Sequence, residues 1–258
     1  MEKKVILISI DGMRPDGALQ CGNPFVEEMM TRGSCALSAK TVFPSVTLPC
    51  HLSMFHSVPP SRHGTLTNTY APPVRPVNGL LEQIKMTGKR SMMYYGWEPI
   101  REIGRCGSLF GGEYLHTYAM DGSDAFLTER AVCGIKTYSP DFVFLYLVET
   151  DDKGGHDVGW MTDTYLSYVS RAIDCAKRIV DEFGDDYTVI VTADHGGHER
   201  SHGTEMAEDM TIPMFFIGDP FPCGKAFENV SILDLAPTIA KIMQVPIPRE
   251  WEGKPLIE

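Results

Sequence analysis

Long hydrophobic runs are missing from this 258-residue chain, and no stretch approaches the roughly 18 apolar residues of a membrane span. Met1-Glu-Lys-Lys leads straight into Val5-Ile-Leu-Ile-Ser-Ile10, an apolar run too short for a signal-peptide core and followed by no small-residue cleavage site. A CxxC pair is also absent. The seven cysteines (Cys21, Cys35, Cys50, Cys106, Cys133, Cys175 and Cys223) are odd in number and scattered, which excludes a simple disulfide framework and fits reduced thiols. A cytoplasmic protein is expected. Positive charge is scarce as well, with 23 Lys and Arg against 34 Asp and Glu and a formal net charge of −11. That balance argues against a nucleic-acid polymer or an anionic membrane as a partner. An anionic small substrate would need local positive charge, which bound metal ions could supply. No internal repeat, low-complexity tract or clear linker interrupts the chain.

What is present is ordinary globular composition, 43% hydrophobic and 22% charged, at a length that allows one large α/β domain or two small ones. The most informative stretch is Thr188-Val-Ile-Val-Thr-Ala-Asp194-His195-Gly-Gly-His198. Its β-branched run reads as a buried strand, and it stops at an acid, a histidine and two glycines. Ligands of open α/β sheets sit at the carboxyl ends of strands, so Asp194 and His195 are placed for chemistry, although a helix cap or loop histidine reads the same way. Val5 to Ile10 is a second strand ending in Asp11-Gly12, where Asp11 could also be a simple turn residue. Asp141 to Val148 is a third, ending in Glu149-Thr-Asp151-Asp152-Lys-Gly-Gly-His156.

Between these, short helices are expected over 23–31 and 80–86, a strand over 91–95, a helix from Asp121 or Ser123 to about Lys136, and the longest helix over 162–183. The apolar residues of that last one, such as Tyr165, Val169, Ile173, Ala176 and Val180, recur at helical spacing and are core positions. A strand over 211–217 and a helix over 232–243, broken or begun at Pro237, follow. Residues 59–76 read as a long surface loop, the kind that tends to carry function, and 101–118 is glycine-rich without clear periodicity. Strands alternating with helices argue for one doubly wound, mostly parallel central sheet flanked by helices, in one domain over 1–258 with a possible cap or loop region around 59–118.

Three of the four strongest strands thus end in metal-capable residues, and His202-Gly203 adds another. If the strands are parallel neighbours, their ends share one edge of the sheet. Asp152, His156 and His202 would then supply one ion, and Asp11, Asp194 and His195, with a hydroxyl between, a second. In Lys40-Thr-Val-Phe-Pro44-Ser-Val-Thr47-Leu-Pro49-Cys50-His51, a hydroxyl lies near the start of a helical stretch. There it could attack or bind an anion, or merely cap the helix.

Taken together, Ile10-Asp11-Gly-Met-Arg-Pro-Asp16, Pro44-Ser-Val-Thr47-Leu-Pro-Cys-His51, Asp152-Lys-Gly-Gly-His156, Thr192-Ala-Asp194-His195-Gly and Ser201-His202-Gly203 resemble the alkaline phosphatase superfamily, and within it the type I phosphodiesterase/nucleotide pyrophosphatase family. The resemblance extends through Leu233-Asp-Leu-Ala-Pro-Thr238 to Glu252-Gly-Lys-Pro-Leu256. It implies a compact alkaline phosphatase-like fold with two divalent ions, zinc or manganese, held by Asp152, His156 and His202 and by Asp11, Asp194, His195 and Thr47. Thr47 matches the family's nucleophile, and Asn68 the asparagine that holds a phosphoryl oxygen. The implied activity is hydrolysis of a small phosphoric ester, of the phosphodiesterase or pyrophosphatase type, through a phosphothreonine. A phosphomonoesterase, a phosphonate hydrolase and a non-catalytic metal-binding relative are the alternatives.

The Pro-x-Arg signature of the sulfatase branch is not seen, and Cys50 reads as an ordinary buried thiol. His202 follows His195 by only seven residues, where larger members carry a long insertion, so much of their substrate-reading surface is missing. Tyr70, Trp97 and residues of 101–118 are candidates for leaving-group contacts. His51, His56, His63, His116 and His198 read as structural or supporting.

Overall fold

The computed structural model describes residues 3–116 and 120–258. Thr117 and Tyr118, the end of the glycine-rich stretch and of the expected cap region, lie outside the described residues.

Strands come first, because they carry the site. They are β1 (Lys4–Ile10), β2 (Ser34–Lys40), β3 (Ser91–Tyr95), β4 (Gly111–Tyr114), β5 (Phe142–Leu147), β6 (Tyr187–Thr192), β7 (Thr211–Ile217) and β8 (Lys225–Ala226). Among the described residues they form a single sheet in the order β4-β3-β5-β1-β6-β7-β2-β8. From β4 through β6 all neighbours are parallel; β7 runs antiparallel to both β6 and β2. The expected mostly parallel sheet is therefore found. β3 and β4, inside the range expected as a cap, are part of it.

β5 and β6 are buried at every position, and β1 at every position after Lys4, as central strands covered on both faces must be. Their registers align the strand ends: Ile10 lies beside Leu147, and Ser9 beside Thr192. The residues that follow, Asp11, the 148–151 turn and Asp194, consequently emerge at one edge. β2 points to the same edge, since it runs antiparallel to β7 and β7 antiparallel to β6. Its chain of small residues, Ser-Cys-Ala-Leu-Ser-Ala-Lys, carries little hydrophobic signal and was not expected as a strand.

The helices are α1 (Pro15–Gln20), α2 (Phe25–Arg32), α3 (Thr47–His56), α4 (Pro60–His63), α5 (Leu80–Met86), α6 (Ser123–Tyr138), α7 (Asp163–Phe183), α8 (Ala207–Met210) and α9 (Leu235–Met243). They form two groups, with α6, α7, α1 and α2 packed together and α3, α5 and α9 packed together, giving the doubly wound layering. α7 starts where Thr162 Oγ1 accepts the Tyr165 N–H at 3.2 Å, an ordinary N-cap, and it buries Tyr165, Val169, Ile173, Ala176 and Val180. α3 is buried on nearly every side, and its Phe55 meets Phe142 and Phe144 of β5 edge to face. The last helix begins at Leu235 after a 3₁₀ turn over Ile232–Asp234, so Pro237 sits in its first turn, where its missing N–H is harmless. The tail is tied down by Trp251, whose indole N–H donates to the Asn78 carbonyl at 2.8 Å. All seven cysteines are free, and no helix among the described residues is long and apolar enough to cross a membrane.

Candidate metal centre and nucleophile

The edge shared by β1, β5, β6 and β2 collects buried acids and imidazoles. Asp11 follows β1 and extends its ladder, its N–H donating to the Leu147 carbonyl at 2.9 Å. Its Oδ2 accepts the Tyr146 hydroxyl, while Oδ1 is buried without a hydrogen-bond partner and lies 3.3 Å from His195 Nε2. Asp194 follows β6. Its Oδ1 accepts the Gly12 N–H at 3.3 Å; its Oδ2 has no hydrogen bond and lies 3.4 Å from His195 Nε2. Gly12 has φ +66°, and a Cβ there would stand 2.9 Å from Asp151 Oδ1, so only glycine lets these acids approach.

After β5 the chain winds into a π-helical turn over Thr150–His156, with Asp157 N–H bonded to the Asp152 carbonyl five residues back. At this turn the structure departs from the expected grouping of Asp152 with His156 and His202. With the usual α-helical step, Asp152 and His156 would share a face; the π step brings Asp151 beside His156 instead, its Oδ2 3.4 Å from His156 Nε2. Asp151 is buried with Oδ1 unpartnered, 3.9 Å from His202 Nε2. Asp152 lines the same cavity, but its carboxylate lies 3.5 Å from Lys153 Nζ and does not join the cluster.

The three histidines present the same nitrogen. His195 Nδ1 lies 2.8 Å from the Gly196 carbonyl, His202 Nδ1 2.9 Å from that of Ser45, and His156 Nδ1 3.1 Å from that of Arg200. A carbonyl only accepts, so each Nδ1 donates, which makes Nε2 the nitrogen that each ring can offer to a cation. Two groups result, Asp11 with Asp194 and His195, and Asp151 with His195 and His202, in each of which the ligand-type atoms lie within 4.8 Å of one another.

Thr47 opens α3, and its Oγ1 stands 3.2 Å from His195 Nε2. The chain reaches it from β2 through Thr41, whose hydroxyl donates to the Asp194 carbonyl. Asn68 Oδ1 accepts the Leu48 N–H at 3.0 Å, which ties the 65–71 loop to the start of α3. Thr47 and Asn68 line a cavity of about 330 Å³ with Asp11, Asp151, Asp152, His156 and His202, walled by Tyr146 and Trp97.

Burial, with the neighbouring acids Asp194 and Asp151, holds the Asp11 carboxyl well above the ordinary carboxylate range, and burial pushes Asp151 up to about 6. Asp194 is held low: burial opposes ionisation, but the nearby His195 and His51 rings and the hydrogen bond from the Gly12 N–H outweigh it. Burial lowers His202 to about 3, keeping its imidazole neutral. Two acids that resist ionisation, Asp11 and Asp151, and a third held low, Asp194, each with a bare buried oxygen and close to imidazole nitrogens, are a donor set that divalent cations fit.

Other expected positions separate cleanly. Trp97 lines the cavity, whereas Tyr70 lines a separate cavity of about 30 Å³ together with Glu102 and Arg105. No described residue of 101–118 lines the cavity that holds Thr47. His51 is buried between Ser9 Oγ and the Thr47 carbonyl; its Nδ1 comes within 3.4 Å of Asp194 Oδ2. His56, His63, His116 and His198 bond to Leu52, Ser53, Tyr114 and Asp209 respectively, outside both groups. Cys50 is a buried thiol pushed up by burial. Sequence reasoning missed Asp151, Tyr146 and Asp209. Asp209 accepts from Thr204 N–H at 2.8 Å and from Thr204 Oγ1, bracing the loop that carries His202. The doubled acid in Asp151-Asp152, with one residue more than an α-turn needs before His156, was the available signal for the π-turn.

Two family models match the chain: type I phosphodiesterase/nucleotide pyrophosphatase over residues 5–91, and metalloenzyme superfamily over residues 108–247. The 2,3-bisphosphoglycerate-independent phosphoglycerate mutase of Shigella dysenteriae serotype 1 (strain Sd197) is 30% identical over 140 residues, covering 52% of this chain and 26% of the mutase. The Escherichia coli (strain K12) mutase is 29% identical with the same coverage. The match therefore spans about a quarter of those relatives' length. Among solved structures, murine ectonucleotide pyrophosphatase/phosphodiesterase 5, as an inactive variant in complex with AMP, superposes with TM-score 0.82 at 14% identity, covering 97% of this chain and 98% of that one. Phosphonate monoester hydrolase from Silicibacter pomeroyi gives 0.76 at 14% identity, with 98% and 76% coverage. At such identities the likeness is one of fold.

Proposed function

We propose, for a chain that belongs to the metalloenzyme superfamily and has the alkaline phosphatase fold, that it is a two-metal phosphoric ester hydrolase of the phosphodiesterase or pyrophosphatase type. The observation that carries this reading is the convergence of two unpartnered, buried carboxylate oxygens, Asp11 Oδ1 and Asp151 Oδ1, on the cavity that holds Thr47 and Asn68, with a third, Asp194 Oδ2, grouped beside Asp11 and His195. Asp151, His156 and His202 would hold one ion, and Asp11, Asp194, His195 and Thr47 the other, with zinc or manganese suited to the nitrogen and oxygen donors. Bound divalent cations supply the positive charge that favours the Thr47 alkoxide and offsets charge on the phosphoryl oxygens.

Thr47 Oγ then bonds to phosphorus as the leaving oxygen departs with its alcohol or phosphate, and water releases the resulting phosphothreonine. Asn68 has its carbonyl oxygen engaged by Leu48, so its amide nitrogen is the group that donates to a phosphoryl oxygen. Among the residues lining the cavity none is Lys or Arg, which favours a singly charged diester over a doubly charged monoester. The substrate is a small phosphorylated molecule, not a nucleic-acid polymer or a membrane. Seven free cysteines support a cytoplasmic site of action.

Hydrolysis of bis-p-nitrophenyl phosphate and p-nitrophenyl phosphate, compared after chelation and reloading with Zn²⁺ or Mn²⁺, tests the reading. Metal-dependent turnover favouring the diester supports it. Faster monoester turnover assigns the site to a phosphomonoesterase, and metal-independent turnover contradicts it altogether.

A further inference from the structure

Three turns carry the expected ligands, and one side chain touches all three. Trp160 is buried, with its backbone N–H bonded to the Glu199 carbonyl at 2.8 Å and its indole N–H donating to the Gly12 carbonyl at 2.9 Å. A Cβ placed on Gly155 would lie 2.5 Å from the indole, and one on Gly197 2.2 Å from it. An indole is rigid, so neither contact could be relieved by a rotating side-chain tip. Both glycines are where the ring needs room. The His156 ring meets the indole at 5.3 Å between centroids and 85° between planes; the His202 ring meets it at 6.0 Å and 65°. Tyr165 adds a second donor to the Gly12 carbonyl, at 2.9 Å, from behind the indole.

The β1 turn, the π-turn and the β6 loop are thus wedged apart at one fixed spacing by a single ring. We propose that Trp160 is a positioning residue, holding His156 and His202 at the separation from Asp151 that the ion of that group requires. This rests on the two-cation reading above. None of the Asp11, Asp194 and His195 side chains packs on the indole, which meets that group's segments through Gly12 and Gly197, so the group depends on Trp160 less. The hydrogen bonds from Nδ1 orient each imidazole; the indole sets where the ring stands.

The test is calorimetric titration of the chelated protein with Zn²⁺ and with Co²⁺, following the Co²⁺ visible absorption alongside. The wild type, His202→Gln, Trp160→Phe and Gly197→Ala are compared. His202→Gln identifies which binding event belongs to the Asp151 group. Trp160→Phe keeps an aromatic ring and loses the N–H and part of the bulk; Gly197→Ala keeps the indole and displaces it. Both are expected to weaken that same event by roughly 10–100-fold, the range for a supporting contact to a metal ligand, and to change its Co²⁺ spectrum, with the other event moved by less than about 3-fold. Unchanged affinities and spectra beside a lowered melting temperature would make Trp160 a packing residue only and overturn the proposal. Equal weakening of both events would overturn the assignment to one group. A wild type that binds no divalent ion would sink the two-cation reading itself, an outcome visible before any variant is made.

Discussion

Two acidic groups lie buried side by side along the chain and differ in what their oxygens meet. In the first, Asp124 accepts the N–H groups of Val148 and Glu149, one on each oxygen at 2.9 and 3.0 Å, and Glu149 Oε1 accepts those of Gly122 and Ser123 at 2.8 and 3.2 Å. Burial and the Glu149 carboxylate push Asp124 up to about 7 despite these bonds. That pair is a closed brace joining the start of α6 to the turn after β5. In the second group, Asp11, Asp151 and Asp194 each keep one buried oxygen without any hydrogen bond. An orphaned buried acceptor destabilises a fold by about 1–3 kcal/mol, and more for a charged group, so three gathered around His195 make sense only if something positive completes them. The contrast separates acids that serve the fold from acids that await a ligand, though both are equally hidden from solvent.

The sharpest way to break the contrast is to remove what the open group serves. Thr47→Ala is expected to lower turnover by on the order of 10⁴-fold or more while the protein still binds its metals. Retained turnover with metals bound would refute Thr47 as nucleophile.

Next comes the choice between neighbouring acids. Asp151→Asn should lower metal affinity by at least about 100-fold, whereas Asp152→Asn should change it only a few-fold, as read by metal titration. The reverse order would restore the α-helical assignment.

Stability against pH sharpens the same point. Asp11 and Asp151 have raised carboxyls, so the folded apoprotein binds more protons than the unfolded chain as pH rises from about 4, and stability falls through about pH 6. Asp194, held low, gives the opposite slope, but only below the ordinary carboxylate range. Denaturant melts of the chelated protein at pH 5 and pH 8 should differ by on the order of 1–3 kcal/mol, with the loss reversed by added Zn²⁺. Asp124 should leave a residual slope in both forms, which Asp124→Asn would remove.

The smallest expected effect is that of Tyr146→Phe, which frees Asp11 Oδ2 without touching its bare oxygen; metal affinity should fall about 10-fold. No change would reduce Tyr146 to a wall of the cavity.

Much of this was legible in the residues. Asp11 and Asp194 could be read because each ends an apolar run long enough to be a strand, and parallel strands deliver their ends to one edge. Asp151 could not be separated from Asp152, because helical spacing is the default and a π-turn is a one-residue slip that shows only in the hydrogen bonds. β2 was illegible for a different reason: Ser34 to Lys40 is made mostly of small residues with no β-branched or aromatic one, and it is a strand because β7 and β8 pair with it. The antiparallel course of β7 was equally hidden, since Thr-Ile-Pro-Met-Phe-Phe-Ile reads the same in either direction. Tyr146 looked like one more apolar strand residue, and nothing in the sequence singled out Asp209. In each case the side chain's role depends on what tertiary packing brings opposite it.

The most direct measurement is the metal content of the chelated chain after reloading and removal of excess ion, by elemental analysis, beside Asp11→Asn and Asp151→Asn. The account predicts two divalent ions per wild-type chain and one lost in each variant. A wild type with none, or variants that retain both, would contradict it.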